Sequence, residues 1–302
     1  MGEQQTVLAG SDGSRRSGAV LDAAAREASA RGARLAVVTV VLEAAETSHS
    51  LRALLADEAR AAELADRSLE EAVTRVRARY PALEVTTHRL DDRAVEERAD
   101  LPGALAGAAL LVVGSRGPQA QPAFGLGSVS RHLLRSTTCP VLVVPDEGPV
   151  SSARGQGPVV AGLDDDGRAG DVLGAAQAAA ERHGTSVLAV HAYHPRAGQD
   201  EATAQRRAEQ LLGGSPVDLL VAAGDPSDVL VEHAAGASAL VLGTRGPAAL
   251  AGLAVDSVSR RVLDAAPCPV LLLVPRTPPS RRGAQAVSSE DCENAPGSAT
   301  MR

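Results

Sequence analysis

Lysine is absent from this chain: all 30 positions counted as Lys or Arg are arginine. That removes the side chain a Walker-type loop uses on its phosphates, and with it any lysine Schiff base or lysine general base. Aromatic residues are almost as scarce, with one Phe, two Tyr and no Trp. No stacking platform for bases can be built from so few rings, and the net charge of -7 is the wrong sign for a nucleic-acid footprint. No nucleic-acid partner is therefore expected. No apolar run approaches the roughly 20 residues of a membrane span, and no positive-then-apolar leader opens the chain. The expected setting is the cytoplasm, away from membranes. Cysteine is limited to three residues, of which Cys139 and Cys268 open equivalent Cys-Pro-Val phrases and read as buried thiols. Cys292 stands in a polar tail and reads as the accessible one.

What the chain does contain is length and repetition. Its 302 residues, 44% of them hydrophobic, suffice for two domains of about 150 residues. Ala9-Gly10-Ser11-Asp12 aligns with Ala161-Gly162-Leu163-Asp164, and the same shift sets Gly32 beside Gly184 without a gap. Near the other end of each copy, Gly114, Ser128-Val129-Ser130 and Cys139-Pro140-Val141 share one register with Gly243, Ser257-Val258-Ser259 and Cys268-Pro269-Val270. The second copy is shorter in its middle.

Each copy alternates strand and helix patterns, as a parallel sheet covered on both faces requires. In the first copy strands are expected over Thr6–Gly10, Leu35–Leu42, Leu83–Leu90, Ala109–Val113 and Val141–Val144. The third is the most polar and so belongs near an edge. Helices are expected over Ser17–Ala30, ending near Gly32, over Leu51–Arg79, from about Ala94 to Ala106, and from Ser128 to Arg135. Residues 1–145 form the first domain, 146–157 a Gly/Ser/Pro-rich linker, 158–275 the second domain, and 276–302 a tail with little to bury, read as disordered.

The chemistry is carried by Gly114-Ser115-Arg116-Gly117, nine residues, then Gly127-Ser128-Val129-Ser130. A buried strand ends, the chain turns, and a helix begins. Beyond the carboxyl end of such a strand, free N–H groups and a helix N-terminus favour an anion. Glycine lets a phosphate approach the backbone, and Ser128 and Ser130 add hydroxyl donors. Ordinary turn glycines and a serine helix cap would look the same in isolation. Asp12, at the end of the first strand, lies close to this loop in a sheet of order 3-2-1-4-5. Its carboxylate can accept from a ribose hydroxyl or an adenine amine, or cap the following helix with Ser14.

Together, Ala-Gly-Ser-Asp12-Gly13-Ser14, the G-x2-G-x9-G-S spacing and the closing Thr138-Cys139-Pro140-Val141-Leu142-Val143-Val144-Pro145 resemble the universal stress protein family. The resemblance spans nearly all of the chain except linker and tail. It implies an α/β protein of two tandem doubly wound domains, each a five-stranded parallel sheet with helices on both faces. It also implies ATP as ligand, whose phosphates Mg²⁺ is expected to support. Carried over, it assigns Gly10 and Asp12 to the adenosine end and Val40 to the adenine wall. Gly114, Arg116 and Gly117 fall at the ribose and α-phosphate, and Gly127, Ser128, Val129 and Ser130 at the β- and γ-phosphates.

The second copy departs from this pattern, with Asp256 in place of Gly127 and Ala192 in place of Val40. Its site is expected to be empty or much weaker. The first copy lacks the Gly-x-Pro phrase after its third strand, having Asp91-Asp92-Arg93, whereas the second keeps Gly224-Asp225-Pro226. No catalytic triad or metal cluster stands out: His191 and His194 read as structural or surface residues, and Asp164-Asp165-Asp166 as a solvated loop. The expectation is a nucleotide-sensing, stress-response regulatory protein acting through a protein partner, its two domains paired through their edge strands within the chain or as a homodimer. Slow ATP hydrolysis stays open with no residue placed as its base. The rival reading is an interaction module of the same fold that binds no nucleotide.

Overall fold

The computed structural model describes residues 5–14, 17–41, 51–91, 107–115, 133, 139–145, 157–195, 200–244 and 258–274. The first half contributes β1 (Thr6–Gly10), α1 (Ser17–Arg31), β2 (Arg34–Val41), α2 (Leu51–Arg79), β3 (Val85–Asp91), β4 (Leu110–Gly114) and β5 (Val141–Val144). The second contributes β6 (Val159–Gly162), α3 (Ala169–His183), β7 (Val187–Tyr193), α4 (Glu201–Leu212), β8 (Asp218–Ala223), α5 (Pro226–His233), β9 (Ala239–Gly243), α6 (Val258–Ala265) and β10 (Val270–Leu273). The helix expected over Ala94–Ala106 lies outside the described residues. Of the helix expected from Ser128, Leu133 is described and is helical.

The near-continuous Val/Leu runs of β1, β2, β4 and β5 are buried along almost their whole length, as strands covered on both faces must be. α1 and α3 stop at the same point of the repeat because Gly32 (φ +61°) and Gly184 (φ +66°) take up the left-handed conformation. The Gly184 N–H then closes α3 onto its last carbonyls, which a side chain at that φ would resist.

All the strands among the described residues join one ten-stranded sheet of order β3-β2-β1-β4-β5-β10-β9-β6-β7-β8. Every neighbouring pair is parallel except the central one, where β5 meets β10 antiparallel with Val141 opposite Leu272, Leu142 opposite Leu271 and Val143 opposite Val270. The strand edges expected to join the halves thus do so inside one chain. Because the central pair reverses direction, the carboxyl ends of the first half's strands point to one edge of the sheet and those of the second half to the other. β3, the most polar strand of the first half, lies at an outer edge as its composition requires.

One apolar layer packs α1, α2 and α3 on residues such as Leu35, Leu110 and Ala161; the other sets α5, α6 and Leu133 against Val38, Leu111, Leu240 and Leu272. Helices therefore cover both faces, and no helix among the described residues is long and apolar enough to cross a membrane.

A charged contact spans the halves on the first of these faces. Glu27 of α1, only 8% exposed, lies 2.7 Å from His183 Nε2 of α3, accepts from Arg31 Nε at 3.0 Å, and has Arg182 Nε at 3.8 Å. Burial pushes its carboxyl upward, but the His183 hydrogen bond and the Arg31 charge outweigh that and hold it at about 2.

Candidate functional site

In the first half the carboxyl ends of β1, β2 and β4 lie side by side. Gly10 is level with Val38 of β2, and Ala9 with Val112 of β4. Extending that register, Asp12 falls level with the buried Val40, and Gly114 one step behind. Ser115 N donates to Val144 O at 2.9 Å, tying the start of the glycine phrase to the end of β5. Of the residues assigned to the nucleotide, Gly10, Asp12, Val40 and Gly114 are thus brought to one edge of the sheet. Arg116, Gly117, Gly127, Ser128, Val129 and Ser130 lie outside the described residues.

Asp12 is already engaged. Its Oδ1 accepts from Ser17 Oγ at 2.7 Å and from Ser14 N at 3.0 Å, while its own N–H reaches Ser17 Oγ at 3.2 Å. Burial raises the carboxyl, and these hydrogen bonds more than reverse it, so it is held below its ordinary value. Among the described residues neither bond comes from a backbone N–H of α1, so the carboxylate closes the turn that leads into the helix. The exposed carboxylate still has acceptor positions beyond the ones used here.

The corresponding end of the second half holds a cavity of about 230 Å³ bounded by the ends of β6, β7 and β9 and the starts of α5 and α6. Its apolar wall includes Leu163, Val190, Leu230 and Leu242, and its polar lining includes Asp164, Asp166 and His191. Gly162, the counterpart of Gly10, sits where a Cβ would come within 2.6 Å of Leu242 Cδ2, so glycine is set there by close approach.

The Gly224-Asp225-Pro226 phrase builds the rim. Gly224 adopts φ +150°, Pro226 begins α5, and Asp225 caps it, accepting from Ser227 N at 2.9 Å, Ser227 Oγ at 2.5 Å and Arg261 Nη2 at 3.0 Å. The Ser227 bond above all, with Arg261 adding to it against a small burial cost, lowers the Asp225 carboxyl to about 2. Through Arg261 this carboxylate ties α5 to α6 beside the cavity. Arg168 donates from Nη1 to Thr244 O and from Nη2 to Leu273 O at 3.0 Å, so its guanidinium satisfies strand-end carbonyls.

Neither Arg168 nor the Asp225–Arg261 tie is signalled by the sequence, in which His191 reads as structural or surface. The repeat offered one usable signal: His191 falls at the register position of Thr39. His191 is indeed buried and bonded, but it also lines the cavity.

A sequence model of the universal stress protein family matches residues 4–145 and again 157–274. The chain belongs to the universal stress protein family. It is a tandem member, and curated relatives carry the same name. A universal stress protein of Mycobacterium tuberculosis is 33% identical over 181 residues, covering 55% of this chain and 61% of its own length, so the chain spans less than two thirds of that relative. A second universal stress protein of that organism is 28% identical over 317 residues and covers 92% of this chain and 99% of its own. Among solved structures, a universal stress protein from Archaeoglobus fulgidus superposes with a TM-score of 0.64 at 19% identity, covering 91% of this chain and 100% of its own. That last likeness concerns the fold.

Proposed function

We propose that this tandem universal stress protein is a stress-response regulator that binds ATP in its first half, Mg²⁺ supporting the phosphates, and presents the bound state to a protein partner. The supporting observation is the convergence at the carboxyl edge of Asp12, Val40 level with it and Gly114 one step behind, where the glycine phrase departs. The phrase itself supplies backbone N–H groups, the serine hydroxyls and Arg116 in place of the missing lysine.

In the second half Asp256 stands where the first has Gly127. A carboxylate about 4 Å from a phosphate charge costs about 4 kcal/mol at an effective dielectric of 20. That is roughly a thousandfold in affinity, enough to leave the second half without ATP at concentrations that fill the first.

Titration calorimetry of the full chain with Mg-ATP tests the reading: Gly127→Asp transfers the second half's residue to the first, and ATP binding is lost while the melting midpoint is retained. Unchanged affinity in the folded variant removes this loop from the site. The rival reading, an interaction module without nucleotide, is supported by the hydrogen bonds that already engage Asp12 with Ser14 and Ser17. It predicts no ATP uptake by either protein.

A further inference from the structure

The two outer edges of the sheet are not alike. β3 closes one end and carries His88, Arg89 and Asp91, with Arg89 held to Asp66 of α2 at 2.7 Å. Charged side chains of this kind keep an edge strand from pairing with another chain. β8 closes the other end, and Asp218 at its start is followed by Leu219, Leu220, Val221, Ala222 and Ala223 without a further charge or a proline. Leu219 to Ala222 are half-buried, with β7 on one side, whereas β1, β4, β5 and β10, flanked on both sides, are buried almost throughout. Nothing in the sequence of β8 blunts it as an edge.

The hydrogen-bond pattern fixes which groups this edge offers. Gly224 N donates to Tyr193 O at 2.9 Å, and along a strand alternate residues direct their backbone groups to opposite sides. Asp218, Leu220 and Ala222 therefore turn their N–H and C=O groups to β7, and Leu219, Val221 and Ala223 turn theirs outward. Among the described residues these outward groups have no partner.

A second copy of the same strand is complementary to this set. A two-fold axis beside β8 makes the two copies antiparallel, and their hydrogen-bonded pairs must join outward residues. Centred on Val221, the pairing sets Val221 opposite the partner's Val221 and Leu219 opposite the partner's Ala223, each pair exchanging both N–H···O bonds. A shift either way leaves an outward residue without a mate in the strand. Leu220 then faces the partner's Ala222, and Asp218 faces the partner's Gly224, so no like charges meet. α4, packed beside β8, sets Glu201 and Glu209 against Arg206 and Arg207 and adds no net charge to the joint. The β5–β10 joint is built in the same way, from antiparallel apolar pairs such as Leu142 with Leu271.

We infer that the β8 edge is a self-association surface, at which two copies of this chain join β8 to β8 about a two-fold axis through Val221 and continue the sheet from one chain into the next. The joint leaves the β5–β10 pair within each chain intact and stands apart from nucleotide binding by the first half.

The test is sedimentation velocity of the full-length chain across the micromolar range. Wild type is expected to pass from monomer to dimer as concentration rises, equally with and without Mg-ATP. Val221→Lys and Val221→Glu each set like charges against one another and weaken the dimer about tenfold, with the melting midpoint showing that each variant is folded. Because residue 221 faces its own copy, an equimolar mixture of the two variants regains the dimer. Thr87→Lys on β3 leaves the dimer unchanged. A wild-type chain that is monomeric throughout, a dimer unaffected in the folded Val221 variants, a mixture no tighter than its parts, or loss of the dimer in Thr87→Lys overturns the assignment.

Discussion

Glu27 shows how far one side chain can couple the halves. Its folded value of about 2 lies below the ordinary 4.5, so its contribution is fully present above about pH 4.5 and is lost as pH falls towards 2. The shift corresponds to about 3 kcal/mol, since one unit is about 1.4 kcal/mol. This is an upper limit for the contact. Arg182 is itself lowered, chiefly by burial and then by the Arg31 charge, so the carboxylate does not fully offset what that guanidinium loses. Glu27→Gln is expected to cost between 1 and about 3 kcal/mol at neutral pH in urea unfolding, with the difference shrinking to nothing near pH 2. A pH-independent difference would assign the loss to packing. Thiol chemistry offers a second residue-scale check. Burial pushes Cys268 up to about 12 and Cys139 is also buried, so iodoacetamide at pH 8 should label Cys292 first, as peptide mass spectrometry would read. Cys268 modified as fast as Cys292 would contradict its burial.

Among the elements, the central β5–β10 pair sets the arrangement of the halves. Three opposed residue pairs, with Val141 and Leu272 fully buried, join strands that would otherwise be exposed edges. Cutting the chain near Arg154 should therefore leave the two halves together on a sizing column at micromolar concentration, whereas elution as two free folded halves would deny the pairing. Much of this was legible in advance because apolar strand runs and the paired glycines after α1 and α3 are local signals. The third strand begins at Val85, two residues beyond the expected Leu83, because Leu83 extends the apolar pattern but lies in the turn before the strand and packs there. The cavity wall was not legible. His191 acquires its role from a carbonyl 28 residues away, and Arg168 from carbonyls 76 and 105 residues away. No spacing rule links such positions. The Asp225 cap was half visible in its Gly-Asp-Pro phrase, but its partner Arg261 lies 36 residues on and only the packing of α5 on α6 joins them.

For the whole molecule, the reversal of direction at the centre of the sheet puts the carboxyl edges of the two halves at opposite sides, so among the described residues neither half reaches the other's carboxyl edge. Each must succeed or fail on its own residues, which makes the chain a comparison of Gly127 with Asp256 on one fold. On the proposed reading Asp256→Gly should raise Mg-ATP occupancy above that of the wild type by removing both the Cβ and the like charge. The most direct measurement is the stoichiometry of Mg-ATP bound to the purified full-length chain at equilibrium. One ATP per wild-type chain, falling to none in folded Gly127→Asp, is the expected result; two per wild-type chain, or none at millimolar ATP, would contradict it.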